Sequence, residues 1–183
     1  MADQIDLFFA EHPSFDYDRA KSSPREFYRM CSQFGWDRRS NGSYPRAREV
    51  AWQRFRTALI VQFNSSFGVD ADDIATWEGI CKFLELSPIS SDMEGMRRVI
   101  LDTHVNLSDT LDSKRNGASV NIFETKDELI EYTVKEGRHF PKEEAYTGGL
   151  LRYLLREIHN DYHGGRGKSG KTRNRARRGK GNV

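Results

Sequence analysis

Cysteine, proline and long apolar runs are all scarce in this chain of 183 residues. Two cysteines, Cys31 and Cys81, cannot build the framework of a disulfide-stapled secreted domain. Each falls on an apolar helical stripe, where a thiol reads as a small buried hydrophobe. No apolar segment approaches the roughly 20 residues that a membrane-spanning helix needs. The N-terminal MADQIDLFFAEHP carries acids where a secretory signal carries basic residues. These absences point to an intracellular chain, nuclear or cytoplasmic, with reduced thiols and no membrane partner. The hydrophobic share is 37%, below the usual globular fraction, so a modest domain with polar appendages is expected.

What is present is charge, unevenly spread. From Gly164 to Val183 there are eight basic residues, Arg166, Lys168, Lys171, Arg173, Arg175, Arg177, Arg178 and Lys180, and no acid. The preceding residues then hold 21 basic and 27 acidic side chains, a net of about −6. An acidic body carries a cationic tail.

The body reads as helices separated by short breaks. Ser23-Pro24 with Glu26 opens one, Phe27, Met30, Cys31 and Phe34 form its stripe, and Gly35 stops it. A longer helix starts near Pro45, with Ala47, Ala51, Phe55, Leu59 and Phe63 every fourth residue, and ends at Gly68. A third runs from about Ala71 to Leu86. A fourth is capped by Ser91 with Glu94 and continues through His104 towards Leu111. Val120 to Phe123 is a short strand, too isolated to build a sheet. Thr125 and Glu128 form a capping box for a fifth helix, which Gly137 ends. Gly148-Gly149 interrupts the chain before a last helix with Leu150, Leu151, Leu154, Leu155 and Ile158 on its apolar side. The expected architecture is an all-α, single compact bundle of about five or six helices. It spans residues 21–163, behind a weakly ordered arm over 1–20 and ahead of a disordered Arg/Lys/Gly-rich tail over 164–183. Phe8, Phe9, Phe15 and Tyr17 give the arm a means of docking.

GRGKSGKT, Gly165 to Thr172, matches the phosphate-loop pattern G-x-x-x-x-G-K-[ST] at every fixed position. That loop works when a buried strand delivers it to the N-terminus of a packed helix. Here a helix precedes it, and RNRARRGKGN, which has no apolar stripe, follows. It reads as part of the basic tail, and no cofactor is expected.

A segment of Gly, Arg, Lys, Ser and Asn without apolar content does not offset the entropy of ordering. It acts through charge, by displacing counterions from a phosphate backbone, with bidentate contacts and stacking added by arginine. Lys171 to Lys180 also fits a nuclear-localisation cluster. Trp36, Trp52 and Trp77 read as core residues rather than stacking platforms. Arg46, Arg48, Arg54 and Arg56 read as a solvated helix face paired with acids, which can extend a basic surface.

Catalytic candidates are thin. His159 and His163 lie four apart without supporting cysteines, so no metal site is expected. His104 with Asp109 or Asp112 offers an acid–base pair, but no nucleophile is identifiable beside it. Structural hydrogen bonding or solvent exposure is the plainer reading of all three.

The stretches EFYRMCSQFGW, ARE and FRTALIVQFNSSFG, HVNLSDTLD and FPKEEAYTGGLLRYLLREI, with the spacing between them, resemble a family of small, functionally uncharacterised fungal proteins. The resemblance covers about residues 15–160 and excludes the tail. It implies a single domain of its own kind and a fungal source, and transfers no activity or site. The functional expectation is a non-enzymatic interaction protein. Its helical body binds a protein partner, and its tail contacts RNA or DNA. The alternative is a pure protein-interaction or effector-like adaptor whose tail serves as a nuclear localisation signal.

Overall fold

The computed structural model describes residues 2–87, 90–141, 149–151 and 153–155. It is a mostly helical, compact fold. Its elements are α1 (Gln4–Ala10), α2 (Ser23–Gln33), α3 (Arg46–Phe67), α4 (Ile74–Phe83), α5 (Met93–Asp102), β1 (His104–Val105), α6 (Leu107–Asn116), β2 (Ile122–Phe123) and α7 (Lys126–Glu136). Residues 149–151 and 153–155 are also helical.

The long α3 is the spine, with α1, α4 and α6 packed along it. Its four-residue spacing holds from Ala51 on, with Ala51, Phe55, Leu59 and Phe63 all buried, whereas Ala47, the first of the expected series, is exposed. The ring of Phe27 stacks on Phe55 at 4.8 Å, which fixes α2 against the spine. Gly68 ends α3 at φ +92°, and a Cβ there would stand 2.9 Å from Thr76 Oγ1, so glycine is needed for both conformation and space. Leu150, Leu151 and Leu154 close the core from the far side. Gly149 begins that segment in close approach to the Val69 carbonyl, and the Leu150 N–H donates to the same oxygen.

Three expectations need correction. The arm, expected weakly ordered over 1–20, is a built part of the body over its described residues 2–20. Asp3 caps α1 by accepting from the Ile5 and Asp6 amides, and Ile5, Phe8, Phe9 and Phe15 are buried. Burying side chains of this size contributes roughly 1.5–3 kcal/mol each, enough to offset the ordering of a seven-residue helix. The docking of Phe8, Phe9, Phe15 and Tyr17 is real, and Phe9 and Tyr17 stack at 4.0 Å.

Second, no helix runs from Ser91 through His104 to Leu111. Asp92 rather than Ser91 caps α5, and the backbone turns extended at Thr103. Asn106 then caps a new helix, its side-chain oxygen accepting from the Ser108 and Asp109 amides. An asparagine competes with the helix for backbone partners and favours a cap over an interior position. Third, the strand near Val120 does find a partner. His104–Val105 and Ile122–Phe123 pair antiparallel, His104 opposite Phe123.

Candidate nucleic-acid interface

The arginines divide into those that meet carboxylates and those that do not. Arg115 defines the first group. Its side chain is 1% exposed and donates to Asp3 at 2.7 Å, Asp6 at 2.7 Å, Asp112 at 3.2 Å and the Tyr17 hydroxyl at 3.0 Å. Burial pushes Tyr17 up to about 12, even though Arg115 opposes the rise. Burial alone would also raise Asp3, but hydrogen bonds from Arg115 and from the Asp6 amide hold it below its ordinary value. This cluster fastens α1 to α6 and consumes its own charge.

Among the described residues the second group comprises the exposed Arg98 on α5 and a cluster of four, in the loop between α2 and α3 and in the first turn of α3. Gly35, at φ +64°, turns the chain out of α2. The Trp36 N–H donates back to the Cys31 carbonyl at 2.8 Å and Gly35 N–H to Ser32 at 3.1 Å, a Schellman closure. The Trp36 carbonyl accepts from Arg48 at 3.3 Å, so the tryptophan is tied on both sides of its own Cα. The loop beyond it closes on itself. Gly42 N–H donates to Arg39, Arg39 N–H to Ser43, Arg38 Nε to the Gly42 carbonyl, and the Asn41 side chain accepts from both the amide and the hydroxyl of Ser43. Pro45 then leads into α3, with the Arg48 guanidinium 3.7 Å over the Tyr44 ring.

Arg38 and Arg39 in the loop and Arg46 and Arg48 in the first turn of α3 thus fall within residues 38–48, a stretch that holds no acid and is flanked by Asp37 and Glu49. None of the four forms an ion pair among the described residues. Arg38, Arg39 and Arg46 are exposed, and Arg48 is half-buried. The expected paired face along α3 is therefore only partly present. Arg54 bonds Glu11 at 2.6 Å and Arg56 is buried, but Arg46 and Arg48 are left without a carboxylate.

Beside these arginines is an open cleft of about 450 Å³, lined by His12, Trp36, Arg46, Ala47, Val50, Ala51 and Arg54. Trp36, expected in the core, is half-buried at its wall, backed by Phe34 at 5.0 Å and edge-on to His12 at 6.0 Å. Val50 on its floor is 50% exposed. His12 is held below its ordinary value by burial and by the Arg54 charge, against the pull of Glu11.

The catalytic candidates are not assembled. His104 sits in β1 on the lining of an apolar cavity of about 70 Å³ with Phe63, Ile80 and Leu107. Asp109 and Asp112 share a different, polar cleft of about 190 Å³ with Ser22, Ser113 and Arg138. There Asp109 is bound by Arg138, and the Asp109 carboxylate reinforces the burial that pushes Tyr132 up to about 12. Asp112 accepts the Ser23 amide at 2.8 Å and Arg115, and burial raises it above the ordinary carboxylate value. These bonds join α6 to α2 through Ser23 and to the turn after α7 through Arg138. Both thiols are pushed up by burial, Cys31 to about 11, which leaves them un-ionised at neutral pH. Among the described residues no three His, Cys, Asp or Glu side chains converge as a metal site, and no helix is long and apolar enough to cross a membrane.

The tail cations Arg166, Lys168, Lys171, Arg173, Arg175, Arg177, Arg178 and Lys180 lie outside the described residues, as do GRGKSGKT, His159 and His163. The loop arginines escaped the sequence reading, although RR at 38–39 beside Trp36 and Tyr44, four residues from Arg48, was an available signal. No family model, curated protein or solved structure matches the chain.

Proposed function

We propose that this chain is a non-enzymatic interaction protein that contacts nucleic acid through two cationic surfaces. One is the Arg38–Arg48 stretch of the body, and the other is the basic segment from Arg166 to Lys180. The observation that carries the reading is the set of four arginines without carboxylate partners, placed beside the half-buried Trp36 and the exposed Tyr44. Among the described residues most other arginines are ion-paired, which leaves these four available to an outside anion. Arginine serves that anion best when it is phosphate, through its bidentate fork. The spacing of cations along a folded loop and a following segment suits a polymer of phosphates better than a single small anion.

The test is the salt dependence of binding to RNA and DNA oligonucleotides. The slope of log affinity against log salt falls by about 0.7–0.9 for each cation that no longer meets a phosphate. Removing residues 164–183 leaves the melting curve of the body intact and flattens this slope. Alanine at Arg38, Arg39, Arg46 and Arg48 flattens it further. A full-length chain with no affinity for either polymer at low salt overturns the reading. It would favour the adaptor alternative, in which the tail serves nuclear entry and the body binds protein.

A further inference from the structure

We infer that the cleft formed by His12, Trp36 and the first turns of α3 takes one unstacked nucleobase, which makes the body selective for single strands over duplex. The inference rests on the nucleic-acid reading above and adds the class of polymer.

The cleft has the parts of a nucleotide site. Trp36 forms one wall, its main chain held by the Cys31 and Arg48 hydrogen bonds and its ring packed against Phe34 and His12. Its floor is apolar, from Ala47, Val50 and Ala51, and Arg46 stands at its rim. A volume of about 450 Å³ lies in the range of small-ligand clefts. A planar base has a π-face for the ring and an apolar body for the floor, while its phosphate is left for a guanidinium. The rim has a polarity. Arg54 is paired with Glu11, whose carboxylate repels phosphate, whereas Arg46 has no acid. The phosphate therefore falls on the Arg46 side.

Duplex nucleic acid does not fit this arrangement. Its bases are stacked and paired, and reaching a concave wall requires extruding one of them at the cost of stacking and pairing. A single strand presents its bases freely, and aromatic walls beside cationic grooves are the general means of holding one. The duplex meets only the outer arginines and the tail, which read charge.

The experiment compares a short single-stranded oligonucleotide with the duplex of the same sequence, on the full chain, by fluorescence anisotropy at one fixed salt concentration. The native chain prefers the single strand. Trp36→Ala lowers single-strand affinity by roughly five- to a hundredfold, the measured scale of one base–aromatic stack, and leaves duplex affinity unchanged. Trp36→Phe retains most of the preference. Ala47→Leu, at an exposed helical position, narrows the cleft with the tryptophan in place and also lowers single-strand affinity alone, which keeps the test valid if Trp36→Ala unfolds. Equal native affinity for the two forms overturns the inference, as does a loss in both mutants that is the same for strand and duplex. Either result leaves the preceding proposal standing, whereas a native chain that binds neither form ends both.

Discussion

Two arginine-rich regions of this molecule use the same side chain to opposite ends. Around Arg115 one guanidinium meets three carboxylates and a phenol, almost fully out of water. Around Arg38 to Arg48 four guanidinium groups meet no carboxylate among the described residues, and three of them are exposed. The first region spends its charge on holding the chain together, and the second keeps it for a partner. The difference lies in what surrounds each arginine, since a buried charge is tolerated only when paired and an exposed one needs no partner.

The comparison is broken most severely by Arg115→Ala. It leaves Asp112 buried without its cation and frees α1 from α6, and we expect a loss of about 3–5 kcal/mol of stability in urea unfolding. Nucleic-acid affinity of the fraction that stays folded is unchanged. Alanine at all four of Arg38, Arg39, Arg46 and Arg48 has the converse signature. Stability falls by about 1 kcal/mol or less, mostly from the Arg48–Tyr44 contact, while the salt slope of nucleic-acid binding drops by about 3. Equal stability losses in the two variants would erase the distinction.

A smaller effect comes from acid. Asp3 and Glu26 are both partly desolvated, which alone would raise them, yet Arg115 and the Asp6 amide for the first, and Arg29 and the Asp18 amide for the second, hold them below their ordinary values. A lowered carboxyl contributes stability that is present above the ordinary carboxyl range of about 4 and is lost as pH falls through the lowered value. We expect the melting temperature to fall as pH drops below about 4, with Asp3→Asn and Glu26→Gln each flattening the curve. Asp112, raised by burial, has the opposite sign and softens the fall.

Local chemistry was legible wherever its cause was local. The stops at Gly35, Gly68 and Gly137, all at positive φ, follow from the freedom of glycine to turn left-handed. The Thr125–Glu128 box at the start of α7 is formed by both of its bonds, and the apolar stripe of α3 is buried from Ala51 on. The split between α5 and α6 was harder to see, because apolar residues continue through it. The signals against a continuous helix were the Asn106 cap and the extended Thr103-His104-Val105. The docked arm had no local signal of comparable strength, since a helix as short as α1 is marginal alone and its anchor is Arg115, 112 residues away from Asp3.

The candidate site shows the same boundary. The sequence alone determined the helix stops at Gly35, Gly68 and Gly137, the capping box that starts α7, most of the apolar side of α3, and that eight cations without a neighbouring acid lie between Gly164 and Val183. It could count the arginines before and within α3. The tertiary structure decided that Arg54 is neutralised by Glu11 from another element, that Arg56 is buried, and that Arg38, Arg39, Arg46 and Arg48 are left without acids beside an open tryptophan-walled cleft. It also separated His104 from Asp109 and Asp112, although they are neighbours in the chain. Helix ends are set by residues within one turn of each other, whereas the pairing of a charge depends on which distant side chain the fold brings within a few ångströms.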